Sequence, residues 1–111
     1  MIEVLLKEYL DNHLDVPSFF EFEDYMPNSF VLIEKTSGRY SNKLKSSTVA
    51  IQSYGKTMYA AALLNEKIKE LMDNLVELDE VSGIHLNSDY NFTDIDSKRY
   101  RYQAVFDINH Y

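Results

Sequence analysis

Along residues 2–14 the apolar positions Ile2, Leu5, Leu6, Tyr9, Leu10 and Leu14 recur at steps of three, one, three, one and four. That is the spacing of one helical face, and Lys7, Glu8, Asp11 and Asn12 fall on the other. Asp15-Val16-Pro17 ends the helix, because the residue before a proline avoids the helical region. Residues 17–23 (PSFFEFE) read as a short strand with Phe20 and Phe22 on one face and Glu21 and Glu23 opposite. Pro17 suits a strand start or an edge, and Asp24-Tyr25-Met26-Pro27-Asn28 is a turn. Residues 29–36 (SFVLIEKT) predict a second strand. Its run Phe30, Val31, Leu32, Ile33 is continuous, so both faces of that strand are expected to be covered. The polar stretch 37–47 (SGRYSNKLKSS) reads as a loop or as the tip of a long hairpin, and 48–54 (TVAIQSY) as a third strand.

Residues 56–78 carry the strongest pattern. Ala61, Leu64, Ile68, Leu71, Leu75 and Leu78 stand 3, 4, 3, 4 and 3 apart, with Ala62 and Met72 widening the stripe. A helix of that length spans roughly 35 Å, enough to cross four strands about 4.8 Å apart. Ala60, Ala61 and Ala62 keep its first turns thin. Residues 83–93 alternate Ile84, Leu86, Ser88, Tyr90, Phe92 against His85, Asn87, Asp89, Asn91, as a half-buried strand does. Asp94–Ser97 turns the chain. Residues 98–110 then alternate Tyr100, Tyr102, Ala104, Phe106, Ile108 against Arg99, Arg101, Gln103, Asp107, Asn109. The element order is α-β-β-β-α-β-β. The expected fold class is α+β: a single domain over 1–111, a two-layer sandwich with a mostly antiparallel sheet of about five strands and both helices on one face.

Composition narrows the chemistry. The 111 residues include 18 acids and 11 Lys or Arg, a net charge of −7, which argues against DNA or anionic lipid as the main partner. With no Cys, disulfides, thiolate metal sites and Cys nucleophiles are excluded. The opening MIEVLLKEYLDNHLD lacks a basic n-region and does not read as a signal peptide. No apolar run is long enough to span a membrane.

Candidate motifs resolve to local structure. His85, Asp89 and His110 would have to gather across the last hairpin to bind a metal, and they read as separate polar strand positions. Asp89-x-Asn91-x-Thr93 starts like a calcium loop, but Asp94 replaces its Gly and Tyr100 its bidentate Glu. Asp94-x-Asp96 reads as hydrogen bonding within a turn. Gly55-Lys56-Thr57 ends like a phosphate loop, but Ala50 holds the place of the first Gly. A helix start capped by Ser53 or Thr57 fits better. No nucleophile–base set or carboxylate pair stands out, so the chain reads as a non-enzyme without cofactor or metal.

The charges are segregated. Glu8–Asp24 holds six acids and no Lys or Arg; Lys35–Asn65 holds five bases and no acid; Glu70–Glu80 holds five acids and no base. Such blocks suit either a solvated surface or a subunit whose unlike surfaces meet head to tail. Of the nine Tyr, the seven at Tyr40, Tyr54, Tyr59, Tyr90, Tyr100, Tyr102 and Tyr111 are more than the deep core of so small a domain accommodates. They fit either strand propensity with edge packing or surfaces half-buried on assembly. The candidate interface residues are Arg39, Tyr40, Lys43, Lys45, Tyr54 and Tyr59.

Three stretches in order, PNSFVLIEKTSG, VAIQSYGKTMYAAALLNEKIKELM and KRYRYQAVFDI, resemble the tail-terminator and head–tail joining proteins of long-tailed bacteriophages and prophages, often labelled minor capsid proteins. The resemblance covers most of residues 2–110. It implies a homo-oligomeric ring, commonly a hexamer, that caps the finished tail tube and meets the head-completion protein, with Arg39, Tyr40, Lys43, Lys45, Tyr54 and Tyr59 contacting the next subunit or the tube. It implies a place in the tail or neck of the virion, reached from the host cytoplasm, with DNA only as cargo in the lumen and no membrane partner. The competing expectation is a small cytoplasmic adaptor or regulatory domain with a ligand pocket between helix and sheet.

Overall fold

The computed structural model describes residues 1–41, 43–97 and 99–111. Asn42, in the expected hairpin tip, and Lys98, at the start of the expected last strand, lie outside the described residues. The elements are α1 (Ile2–His13), β1 (Ser18–Phe19), β2 (Phe30–Ser41), β3 (Leu44–Gly55), α2 (Met58–Asp73), a 3₁₀ turn (Leu75–Glu77), β4 (Val81–Asn91) and β5 (Tyr100–His110). This is the expected α-β-β-β-α-β-β order and an α+β fold. The five strands form one sheet ordered β1-β2-β3-β5-β4. Only the short β1–β2 pair is parallel.

Both helices cover one face of the sheet. Leu6 and Leu10 of α1 and Ile68 and Met72 of α2 share a fully buried core with Val31, Ile33, Val49, Ile51, Phe106 and Ile108. Close approach of α2 depends on its small first turn. A Cβ on Gly55 would lie 2.4 Å from the Ala61 backbone nitrogen, so Gly55 and Ala61 together set the spacing of helix and sheet.

The structure corrects four details. The first expected strand shrinks to Ser18–Phe19. There Lys7 Nζ donates to the Ser18 carbonyl at 2.6 Å and Ser18 Oγ donates to Asp11 Oδ1, also at 2.6 Å. Phe22 then packs edge-on against Phe30 and Tyr54, in the cluster that Phe19 also joins. Phe19 and Phe22 are three residues apart, and a period-two strand cannot deliver both to one face. Second, the 37–47 stretch is the hairpin tip of its two readings, and the expected strands 29–36 and 48–54 lengthen into it, with β2 and β3 paired out to Ser41 and Leu44. Third, α2 ends at Asp73, and its fully buried line is Ala61, Asn65, Ile68 and Met72, continued by Leu75 in the 3₁₀ turn. Leu64 and Leu71 flank that line, half-buried. Fourth, β4 changes face at a bulge between Leu86 and Ser88. Ile84 and Leu86 pair with Ile108 and Phe106 on the helix side, whereas Ser88 and Tyr90 pair with Val105 and Gln103 on the bare side. One extra residue reverses every side chain beyond it.

Candidate functional site

The β2–β3 hairpin begins in the core and ends in solvent. Phe30–Ile33 are buried, and Glu34–Ser41 are exposed throughout. The turn is tight, and Lys43 adopts a positive φ of 65°, rare for a residue with a Cβ. Arg39, Tyr40, Lys43 and Lys45 all sit at this tip, with Tyr40 67 % exposed.

The other two candidate interface residues lie elsewhere. Tyr54 is nine residues along β3 from Lys45, roughly 30 Å at about 3.3 Å per residue. It is only 3 % exposed, stacked on Phe30 at 4.4 Å between centroids. Tyr59 is 75 % exposed on the first turn of α2. The six residues therefore form one basic tip plus two separate positions.

Strand registers show what stands level with that tip. Tyr40 pairs with Lys45, Lys45 with His110, and His110 with Val81. The start of β4 is thus at the same end of the sheet, about 14 Å across from β2 by three strand spacings. The β2 side of this end carries Lys35, Arg39 and Lys43, with Glu34 beside them. Lys45 stands on the inner strand β3 and lines one pocket with Glu80. Glu77, Asp79 and Glu80 lead into β4. Both flanking strands are open. Beyond Leu32, β2 has no outer strand partner among the described residues, and β4 is the opposite edge of the sheet.

On the bare face, polar side chains form a connected ladder. Arg101 Nη1 donates to Tyr54 Oη at 2.8 Å, Tyr54 Oη donates to Gln52 Oε1 at 2.9 Å, and Gln52 Nε2 donates to Gln103 Oε1 at 2.8 Å. Gln103 Nε2 then donates to Tyr90 Oη. Hydrogen bonds from Asn87 at 3.0 Å and Thr48 at 2.8 Å hold the Asp107 carboxyl below its ordinary pKa. A mixed-charge cleft of ≈ 700 Å³ opens at the far end of this face, between Phe22–Phe30 and Asp94–Arg101, with Lys56, Arg99, Glu23 and Asp24 in its lining.

The motif residues take local roles. Thr57 Oγ1 caps α2 by accepting from the Ala60 amide at 3.0 Å. Asp94 accepts from the Asp96 amide and the Ser97 hydroxyl within its turn, and the Ser97 bond lowers its pKa. His85, Asp89 and His110 do not converge. Asp89 accepts from Asn65 at 2.7 Å and Lys69 at 2.6 Å, and His110 Nε2 lies 2.8 Å from Ser47 Oγ on the helix side. Burial lowers the His110 pKa, with Lys45, Lys35 and the chain's amino group adding to it. Sequence reasoning missed the bare-face ladder, because alternation marks only which residues share a face. No protein-family model matches the chain, and comparison with curated proteins gives no match.

Proposed function

We propose that this chain is a structural, non-catalytic subunit of a phage tail or neck, a tail terminator or neighbouring component that forms a ring, in the commonest form a hexamer. The observation that carries the reading is the basic β2–β3 tip standing at the same end of the sheet as the acids Glu77, Asp79 and Glu80 that lead into the opposite edge strand. Unlike surfaces at the same height suit a head-to-tail contact, which closes into a ring when its rotation divides the circle. The tail-tube and head-completion proteins are the partners this reading implies, and DNA passes through the lumen past a net-acidic wall. An adaptor with a ligand pocket between helix and sheet has less support, since Leu6, Ile33, Ile51, Ile68 and Met72 fill that layer. No helix of the described residues is long and apolar enough to cross a membrane.

The test is deletion of the gene from the phage or prophage that carries it, followed by electron microscopy. The expected particles are tails of irregular length that are not joined to heads, with antibody label at the head-proximal end of complemented tails. Normal virions from the deletion would contradict the reading.

A further inference from the structure

The two free sheet edges differ in direction as well as in charge. Since β2 is antiparallel to β3, β3 to β5 and β5 to β4, β2 and β4 run in opposite senses. Two copies standing the same way up therefore bring β2 of one beside β4 of the next as an antiparallel pair. This is the sense required for a shared sheet.

The backbone groups on each edge follow from the ladder. The Val31 amide donates outward to the Pro17 carbonyl, and strand alternation makes Ile33 and Lys35 outward too. The Phe19–Leu32 pairing takes up Ile33, so Lys35 is the first open position. The bulge between Lys35 and Ser37 shifts the phase, so Gly38 and Tyr40 continue the outward set. On β4, Phe92 bonds inward to Arg101. Counting back through the Leu86/Ser88 bulge leaves Ile84, Leu86, Asp89 and Asn91 outward.

These sets stand on common rows of the sheet. Lys35 is level with Leu86 through Val49 and Phe106, Gly38 with Ile84 through Ser47 and Ile108, and Tyr40 with Val81 through Lys45 and His110. Their side groups are complementary as well. A groove lined by Met1, Phe20 and Ile33 together with Glu3, Glu34 and Lys35 runs beside the β2 edge. Leu86, 40 % exposed, projects from the helix side of β4 at the height of Lys35.

We infer that a second copy of this chain is the occupant of the β2 edge: its β4 adds to Lys35–Ser41 as an antiparallel strand, with Arg39 and Lys43 facing its Asp79 and Glu80. The inference rests on the ring reading and gives that ring its joint. Rim charges set the register and speed of association, and the backbone bonds and the groove hold it. Bulges on both edge strands and the charges on β2 limit random pairing, so the joint depends on matched charge and register.

The experiment is sedimentation of the purified full chain over a concentration series at low salt, with circular dichroism as folding control. The parent is expected to form closed oligomers. Arg39→Glu with Lys43→Glu should weaken association by about tenfold or more, as should Asp79→Lys with Glu80→Lys. Mixing the two reversed proteins makes both kinds of mixed joint complementary and should restore closed oligomers in which the two alternate. Tyr40→Pro removes one outward donor and leaves the β3 ladder intact; it should weaken association without loss of strand signal. A parent that stays monomeric up to about 1 mM, where even contacts of about 4 kcal/mol register, would overturn the inference. So would reversed proteins that associate like the parent, or a reversed pair that fails to recombine. Deletion particles with defective tails alongside a monomeric protein would sink this joint and leave the assembly role standing.

Discussion

The two faces of the sheet are held by different physics. The helix face is apolar and closed, with Ile33, Ile51, Phe106 and Ile108 under Leu6, Ile68 and Met72, all within 2 % of full burial. Among the described residues the bare face carries no helix; it has an aromatic cluster at one end and a ladder across the middle. In that ladder Tyr54, Gln52 and Gln103 are buried, Arg101 is half-buried and Tyr90 is exposed. Burial of apolar area is non-directional and tolerates small shifts. A ladder of amides and hydroxyls is directional and has one arrangement in which every member is satisfied. The helix face therefore supplies most of the stability, and the bare face keeps the strands in register.

Truncating the helix face should have the largest effect. Ile68→Ala removes a fully buried side chain and should cost roughly 2–5 kcal/mol in urea unfolding. Leu71→Ala, at a half-buried flank, should cost clearly less. Equal losses would place the centre of the helix stripe at the wrong residue.

On the bare face Gln103→Ala strips Gln52 Nε2 of its acceptor and should cost about 1–3 kcal/mol, the range for a buried donor left unpaired. Because the ladder sets register, amide exchange in β3 and β5 should accelerate beyond the mutated site. A purely local change in exchange would show that the ladder is ornamental.

A smaller effect sits where the helix face meets the tip. His110 is held neutral by burial, and its folded-state pKa lies below the ordinary value. Below about pH 6.5 the unfolded chain binds the proton that the folded chain resists. The stability this histidine contributes is thus fully present above about pH 6.5 and is lost as pH falls through its folded pKa. Between about pH 7.5 and about pH 5.5 the parent should lose more stability than His110→Asn. Parallel losses would assign the slope to other groups.

The smallest effect belongs to the tip. Arg39→Glu with Lys43→Glu, at exposed positions, should change the unfolding free energy of the dilute, monomeric chain by no more than about 0.5 kcal/mol. A larger loss would make the basic tip part of the fold rather than a contact.

The sequence carried most of the helix face and little of the bare one. Periodicity placed α1, the start of α2 and the alternation of β5, because burial against one layer imposes a period on apolar residues. The centre of the α2 stripe is hidden in the sequence by Asn65, a polar residue that is buried with its Nδ2 donating to Asp89. Asp89 reaches the helix side only through the Leu86/Ser88 bulge, and a bulge leaves no mark in an alternating pattern. β1 was overread because its Phe residues signal strand propensity, while Lys7 and Asp11 pin Ser18 and let the chain turn away. The basic tip was legible as a charge block. Its position level with Glu77–Glu80 was not, since that depends on the β3–β5–β4 registers.

The central claim is that the outer half of β2 is an unfinished sheet edge completed by another copy. Amide hydrogen exchange, compared between the dilute monomer and the associated protein, tests it most directly. The amides of Lys35, Gly38 and Tyr40 should exchange fast in the monomer and become protected on association, together with Ile84 and Leu86. The inward amides of Glu34 and Arg39 should be protected in both states. Association that leaves the outward amides of both edges exchanging as fast as in the monomer would contradict it.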